Sequence, residues 1–272
     1  MVVLIPGVSG GFGQVLARAA QAAGHRVYGT SRQPSGGAEA PPWPVLAMDI
    51  TDPASIEKAV AELVEREGRI DAVVNCVNDM MIGGIEEQTV EEVQALYETN
   101  VFGTLRLFQG VLPVLRRQGS GTLVTMSSLG GLLAVPYMSA YTSAKFALEA
   151  MTEALYHEVR GTGIDVVIMQ PVAMAMDRAA TGAHLHTAEH VADDSPTQRM
   201  VIRMARDTAA SKLTPEQVAA RVLEVLAQRE KPLRVPLDRA KPLGWVKGLA
   251  PQALIDRLIG GLLDGIEVGD QP

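Results

Sequence analysis

The chain opens with an uninterrupted apolar run, Val2-Val3-Leu4-Ile5, that leads through Pro6 into Gly7-Val8-Ser9-Gly10-Gly11-Phe12-Gly13. Helical spacing follows, with Phe12, Val15, Leu16, Ala19 and Ala23 on one face and Gly24 at a natural stop. A strand apolar at every position must be covered on both faces, which alternating strands of an open antiparallel sheet are not. The same rhythm recurs: Arg26 to Tyr28, Val45 to Ala47, Ala72 to Val74, Thr122 to Met126, Asp165 to Met169 and Leu233 to Pro236 read as further strands, separated by helical stretches. Among these are Ser55 to Glu67, opened by Thr51-Asp52-Pro53, and Val90 to Gln118, where Pro113 is expected to break or kink the helix. Strand–helix alternation implies right-handed crossovers and parallel pairing. The fold class expected is α/β, a single doubly wound Rossmann-type domain over residues 1–272 with a mostly parallel seven-stranded sheet.

Two stretches depart from the rhythm. Residues 173–213 turn to Ala, Met, His, Thr and Asp and read as an irregular insert of the kind that forms a mobile lid. Residues 241–272 carry Trp245, Leu249, Leu254, Ile255, Leu258, Ile259, Leu262 and Leu263 at spacings that suit an amphipathic C-terminal extension packed on the body or a neighbouring subunit. The net charge of −7 argues against a nucleic-acid partner. A single cysteine, Cys76, excludes a disulfide framework or a multi-cysteine zinc site. His184, His186 and His190 have no evident fourth ligand, so no metal is expected. No run reaches the roughly 18 apolar residues of a membrane span, and the first apolar run is too short for a signal segment. A cytoplasmic protein without a membrane partner is the expectation.

Glycines after a strand let a backbone approach a pyrophosphate, and the following helix offers free N–H groups at its positive end. Gly7, Ser9, Gly11, Phe12 and Gly13 are therefore candidate dinucleotide contacts. A carboxylate closing the second strand would hold the ribose hydroxyls of NAD(H); here the residues are Tyr28-Gly29-Thr30-Ser31-Arg32. Ser31 and Arg32 can donate to a 2′-phosphate instead, which favours NADP(H) over NAD(H). Further along, Tyr141-Thr142-Ser143-Ala144-Lys145 puts a phenol and an ammonium four apart, on one face of a helix. A free phenol titrates near pH 10, and lowering it by roughly 3 units takes about 4 kcal/mol, which a neighbouring cation and an oxidised nicotinamide could supply together.

With these residues in place, the chain resembles the short-chain dehydrogenase/reductase family. Gly7, Gly11 and Gly13 match its glycine pattern, Asn100 stands in Asn-Val-Phe-Gly, Ser128 lies thirteen residues before Tyr141, and Tyr141 pairs with Lys145. The likeness runs from residue 2 to about 172, and Ser143 to Ala150 is similar to the branch holding 17β-hydroxysteroid and retinol dehydrogenases. The resemblance implies catalytic roles for Asn100, Ser128, Tyr141 and Lys145. Tyr141 would act as general acid and base, Ser128 would bond the substrate oxygen, Lys145 would hold the nicotinamide ribose, and Asn100 would anchor a proton-relay water. It further implies cofactor contacts by Asp49, Ile50, Asn75, Pro171 and Val172, as well as by Tyr141 and Lys145. The helices Val90 to Leu115 and Pro136 to Arg160 would pair between subunits as a homodimer or homotetramer.

Three positions depart from the family pattern: Pro6 replaces its threonine, Asn75-Cys76-Val77-Asn78 replaces Asn-Asn-Ala-Gly, and Pro171-Val172 with Met176 replaces Pro-Gly and a later threonine. These leave open an isomerase, cyclase or lyase using the same Tyr and Ser without net redox change, or a non-catalytic nucleotide sensor. Met80, Met81, Leu132, Leu133, Val135, Met138, Met174 and Met176 fall in segments that, by the resemblance, border the substrate, so a hydrophobic small molecule is expected.

Overall fold

The computed structural model describes residues 1–34, 41–175, 185–238, 240 and 250–270. Its strands are β1 (Val2–Pro6), β2 (Arg26–Ser31), β3 (Val45–Ala47), β4 (Ala72–Asn75), β5 (Met80–Ile82), β6 (Gly121–Met126), β7 (Ile164–Gln170), β8 (Leu185–Thr187) and β9 (Arg234–Pro236). Seven of them, all those read from the sequence, form one sheet in the order β3-β2-β1-β4-β6-β7-β9, and every pair is parallel. The helices are α1 (Gly11–Ala22), α2 (Pro53–Glu67), α3 (Val90–Tyr97), α4 (Gly103–Gln118), α5 (Ser139–Glu158), α6 (Gln198–Ala210), α7 (Pro215–Ala227) and α8 (Gln252–Gly260).

Alternation along β1 distributes the core. Leu4 points into one apolar layer with Leu63, Leu107, Val111 and Leu123, whereas Val3 and Ile5 point into the other with Leu16, Val27, Val167 and Val222. Each fully buried aliphatic side chain stabilises the fold by roughly 1.5–3 kcal/mol relative to exposure. Helix ends follow local chemistry: Asp52 caps α2 by accepting from the Ala54 N–H at 3.0 Å, Pro53 occupies its first turn, and Gly68 ends it at φ +72°.

Two expectations need correction. The helical stretch from Val90 to Gln118 is not broken at Pro113, which sits inside α4 on its exposed side, where the carbonyl it leaves unpaired can face water. The interruption comes earlier, as a π turn over Glu98–Phe102. The described residues of the insert also carry regular elements that its composition does not announce. It contains β8, paired with β5 in a separate two-stranded sheet, and the thirteen-residue α6. Glu87 fixes its base by accepting from the Ser195 and Thr197 hydroxyls and the Gly84 N–H. Met176 and His184 lie outside the described residues, as do Trp245 and Leu249.

Candidate active site

Strand order reverses between β1 and β4, and a doubly wound sheet opens a crevice at the strand ends where this happens. The glycine turn fills that place. Gly7 has φ +88°, and a Cβ there would come within 2.9 Å of the Val77 nitrogen. At Gly13 a Cβ would meet the Gly7 carbonyl oxygen at 2.3 Å, so the first turn of α1 can press onto the loop only as glycine. Gly13→Ala should therefore destabilise the fold by about 2 kcal/mol through overpacking, seen as a lowered thermal midpoint. An unchanged midpoint would contradict the close approach.

α1 has no acidic residue in its first turn and no side chain capping its start, which leaves its leading N–H groups to an anion. Ser9, Gly11, Phe12 and Gly13 line the cleft beside them, and Thr30, Ser31 and Arg32 continue the wall at the end of β2. Asp49 and Ile50 follow. Burial pushes the Asp49 carboxyl up, but hydrogen bonds from the Thr51 backbone and hydroxyl and the charge of Arg32 outweigh it and hold the group below its ordinary value. Asn75 does not line the cleft: its Nδ2 donates to the Thr104 hydroxyl at 2.9 Å and its Oδ1 accepts from the Val77 N–H, locking the loop after β4 against α4.

The remaining group comes from α5, β6 and the π turn. Tyr141 and Lys145 both face the cleft from α5, with Lys145 Nζ 5.6 Å from the centre of the Tyr141 ring. Lys145 is 2% exposed and donates to the Met126 carbonyl at 2.9 Å. Burial pulls its ammonium down to about 8, partly opposed by Glu149. Ser128 caps the short turn Leu129–Gly131, its hydroxyl oxygen accepting from the Gly130 N–H at 3.2 Å, which leaves the hydroxyl hydrogen to donate into the cleft. The Tyr141 ring lies against that turn, since a Cβ on Gly130 would sit 3.1 Å from its Cε1. Asn100 is buried behind the wall in the π turn, exchanging hydrogen bonds with the Asp79 backbone at 2.7 and 2.8 Å. That clamp fixes the loop leading into β5.

Together these elements enclose a continuous cleft of about 630 Å³ from the glycine turn to Tyr141. Asn78 and Val172 line it without closing it. The buried Asn78 Oδ1 and Ser127 Oγ have no hydrogen-bond partner among the described residues, so the wall retains polar capacity for a ligand. Of the expected substrate-side residues, Met80, Leu133, Val135, Met138 and Met174 line the cleft, whereas Met81 is buried in the core and Leu132 stays off the wall.

Residues not anticipated complete the chamber: Met200, Arg203, Met204 and Asp207 on one face of α6, with Ile259 from α8 and Leu262 just past it. Arg199 and Arg203 donate to the carbonyl oxygens of Leu262, Leu263 and Ile266, and Arg206 reaches Asp270, fastening the C-terminal segment to α6. The α6 residues repeat at i, i+3, i+4 and i+7, a helical spacing inside the stretch whose composition reads as an irregular lid insert. Among the described residues no group of three or more His, Cys, Asp or Glu could hold a metal, and His186 instead stands 3.6 Å from Asp79. No helix among them is long and apolar enough to cross a membrane.

A family model described as short chain dehydrogenase matches residues 1–184. The chain is a short-chain dehydrogenase/reductase. It is 34% identical over 243 residues to an oxidoreductase of Botryotinia fuckeliana, covering 85% of this chain and 86% of the relative. It is also 37% identical over 170 residues to a protein of Bacteroides thetaiotaomicron named 3-ketodihydrosphingosine reductase, a match spanning 62% of each chain. Among solved structures, a short-chain dehydrogenase from Streptomyces avermitilis superposes with a TM-score of 0.78 at 30% identity over 96% of both chains.

Proposed function

We propose that this protein interconverts a carbonyl and an alcohol on a hydrophobic small molecule with NADP(H) as redox partner. The observation that carries the reading is that Ser128, Tyr141 and Lys145 share one cleft with a glycine cradle whose β2 end offers Ser31 and Arg32 and no carboxylate. The residues fit the dinucleotide: Gly7 and Gly13 let the turn after β1 close tightly against its neighbours, which brings the start of α1 with its unclaimed N–H donors to the cleft wall. When bound, the nicotinamide would supply or accept the hydride.

In the reducing direction Tyr141 would give its phenolic proton to the carbonyl oxygen, and in oxidation it would take the proton back. Ser128 would donate a hydrogen bond to that oxygen and orient it. Lys145, charged at neutral pH, would stabilise the phenolate left on Tyr141 and hold the nicotinamide ribose. Asn100 would support the proton path by fixing the Asp79 loop and the π turn. The methionine- and leucine-lined end of the chamber suits an irregular apolar substrate, and a relative named as a ketone reductase supports a carbonyl as the reacting group. A homodimer or homotetramer through the helical stretches Val90 to Leu115 and Pro136 to Arg160 fits the exposure of Phe102 and Leu105.

The test is titration with NADPH and NADH by fluorescence, followed by absorbance at 340 nm with a panel of lipophilic ketones. Arg32→Ala should weaken NADPH by about 10- to 100-fold, the scale of a lost charge-assisted phosphate contact, and NADH by less than about threefold. Equal weakening of both would remove the NADP(H) assignment. Tight dinucleotide binding without turnover of any carbonyl would favour a non-redox isomerase, cyclase or lyase, or a sensor.

A further inference from the structure

Helix α5 carries a third ionisable group that the reaction does not use directly. Glu149 stands one turn beyond Lys145 and is 6% exposed. Its Oε1 accepts from Gln170 Nε2 at 2.9 Å and its Oε2 from Arg234 Nε at 3.0 Å. The same guanidinium reaches Glu153, a further turn along α5, through Nη1 and Nη2 at 3.2 and 2.9 Å. Glu149 also sits under the floor of the site, because a Cβ on Gly131 would strike Ser127 Oγ at 2.6 Å and Glu149 Cγ at 3.0 Å. Gln170 is the last residue of β7, directly before Pro171 and Val172 in the cleft wall.

The row Lys145, Glu149, Arg234, Glu153 therefore alternates in sign from the buried ammonium to the half-exposed edge of the sheet. Residues four apart on a helix are neighbours, and a buried carboxylate one turn away favours the charged form of an amine. Arg234 works against this by neutralising Glu149, and Glu153 in turn divides the attention of Arg234. From β7 the facing group is the neutral Gln170, the Leu129–Gly131 turn brings no charge, and His157 bears on Glu153 at the far end.

We propose that Glu149 is a positioning residue that keeps Lys145 in its ammonium form beneath Tyr141, and that Arg234 sets how strongly it does so. This rests on the proposed role of Tyr141 and Lys145 as the proton-handling pair. It makes a prediction that a purely structural role does not: removing the two partners moves the titration of Lys145 in opposite directions. In Glu149→Gln the amine loses its counter-charge and gives up its proton at lower pH. In Arg234→Met the carboxylate is no longer neutralised, and the amine holds its proton to higher pH.

The experiment follows the Lys145 Nζ resonance in ¹⁵N-lysine-labelled full-length protein without dinucleotide, assigned by its loss in Lys145→Met. Opposite displacements of at least about half a unit are expected, with Glu149→Asp close to wild type. Displacements in the same direction, or none, would overturn the proposal. Arg234→Met changes a residue 35% exposed on its side chain, so it reads the coupling even where Glu149→Gln fails to fold. The basic limb of the kcat profile with NADPH should move with the resonance. If the resonance moves as expected but no carbonyl is turned over, the redox reading falls and the coupling stands.

Discussion

Tyr141→Phe is expected to lower kcat by about 10³-fold, within the range a positioned general acid contributes, while the Kd for NADPH changes by less than about threefold. The ring is held by contacts that phenylalanine keeps: it lies against Gly130 and packs in a cluster with Met81, Ile82, Met138 and Ala144. What is lost is the hydroxyl, and with it a proton donor on the cleft wall that Lys145 and Ser128 share. Single-turnover kinetics beside a fluorescence titration separates the two effects. A variant retaining more than about a tenth of wild-type turnover would mean that another group carries the proton, and the assignment of Tyr141 would fall.

Lys145→Met should nearly abolish turnover and yet leave the fold more stable at neutral pH. The ammonium titrates at about 8 in the folded protein against an ordinary 10.5, so the unfolded chain binds the proton more tightly. Stability in the wild type is therefore depressed by the full amount below pH 8 and recovers as pH rises from about 8 to 10.5. At about 1.4 kcal/mol per unit the depression is roughly 3 kcal/mol, partly offset in the variant by about 1–2 kcal/mol for the Met126 carbonyl left without a donor. The net expectation is a gain of about 1–2 kcal/mol at pH 7, shrinking above pH 8. Chemical denaturation of both proteins across pH 6–10 reads this difference directly. A variant less stable at pH 7, or a gap between the two that does not change with pH, would show that the buried ammonium is not held at a cost. Such an exchange of stability for chemistry is common at active sites.

The sequence made the sheet legible because its strands are apolar at nearly every position and bounded by glycine or charge. β1 and β6 could be little else. The spacing of Tyr141 and Lys145 put both on one face of a helix, and it took the family resemblance, with Ser128 and Asn100, to single them out, whereas the glycine turn stood out by its place between strand and helix. What stayed hidden depends on pairing between distant segments. β5 and β8 are no shorter than β3 and β9 but fall outside the strand–helix alternation, and they exist because Met80–Ile82 finds Leu185–Thr187 across a hundred residues. α6 begins at Gln198 with no side-chain cap from Thr197 and no acidic first turn, and the Ser195-Pro196 pair before it, whose serine hydroxyl oxygen accepts from the Thr197 N–H at 3.0 Å, lies in a stretch that otherwise reads as irregular. The π turn at Asn100 has no compositional signature either. Asn75 shows the opposite failure: its type and place suggested a ligand contact, but Thr104, a residue whose hydroxyl could not be placed from spacing, claims its amide.

The fastening of the C-terminal segment to α6 bears on how such a protein can be retailored. Arg199 and Arg203 grip carbonyl oxygens, atoms that every residue type possesses. Side chains at 259 and 262 are thereby released from any duty of attachment, and the contour they give the chamber can be redrawn residue by residue. A library confined to those two positions would sample new substrate shapes on an anchor that stays put.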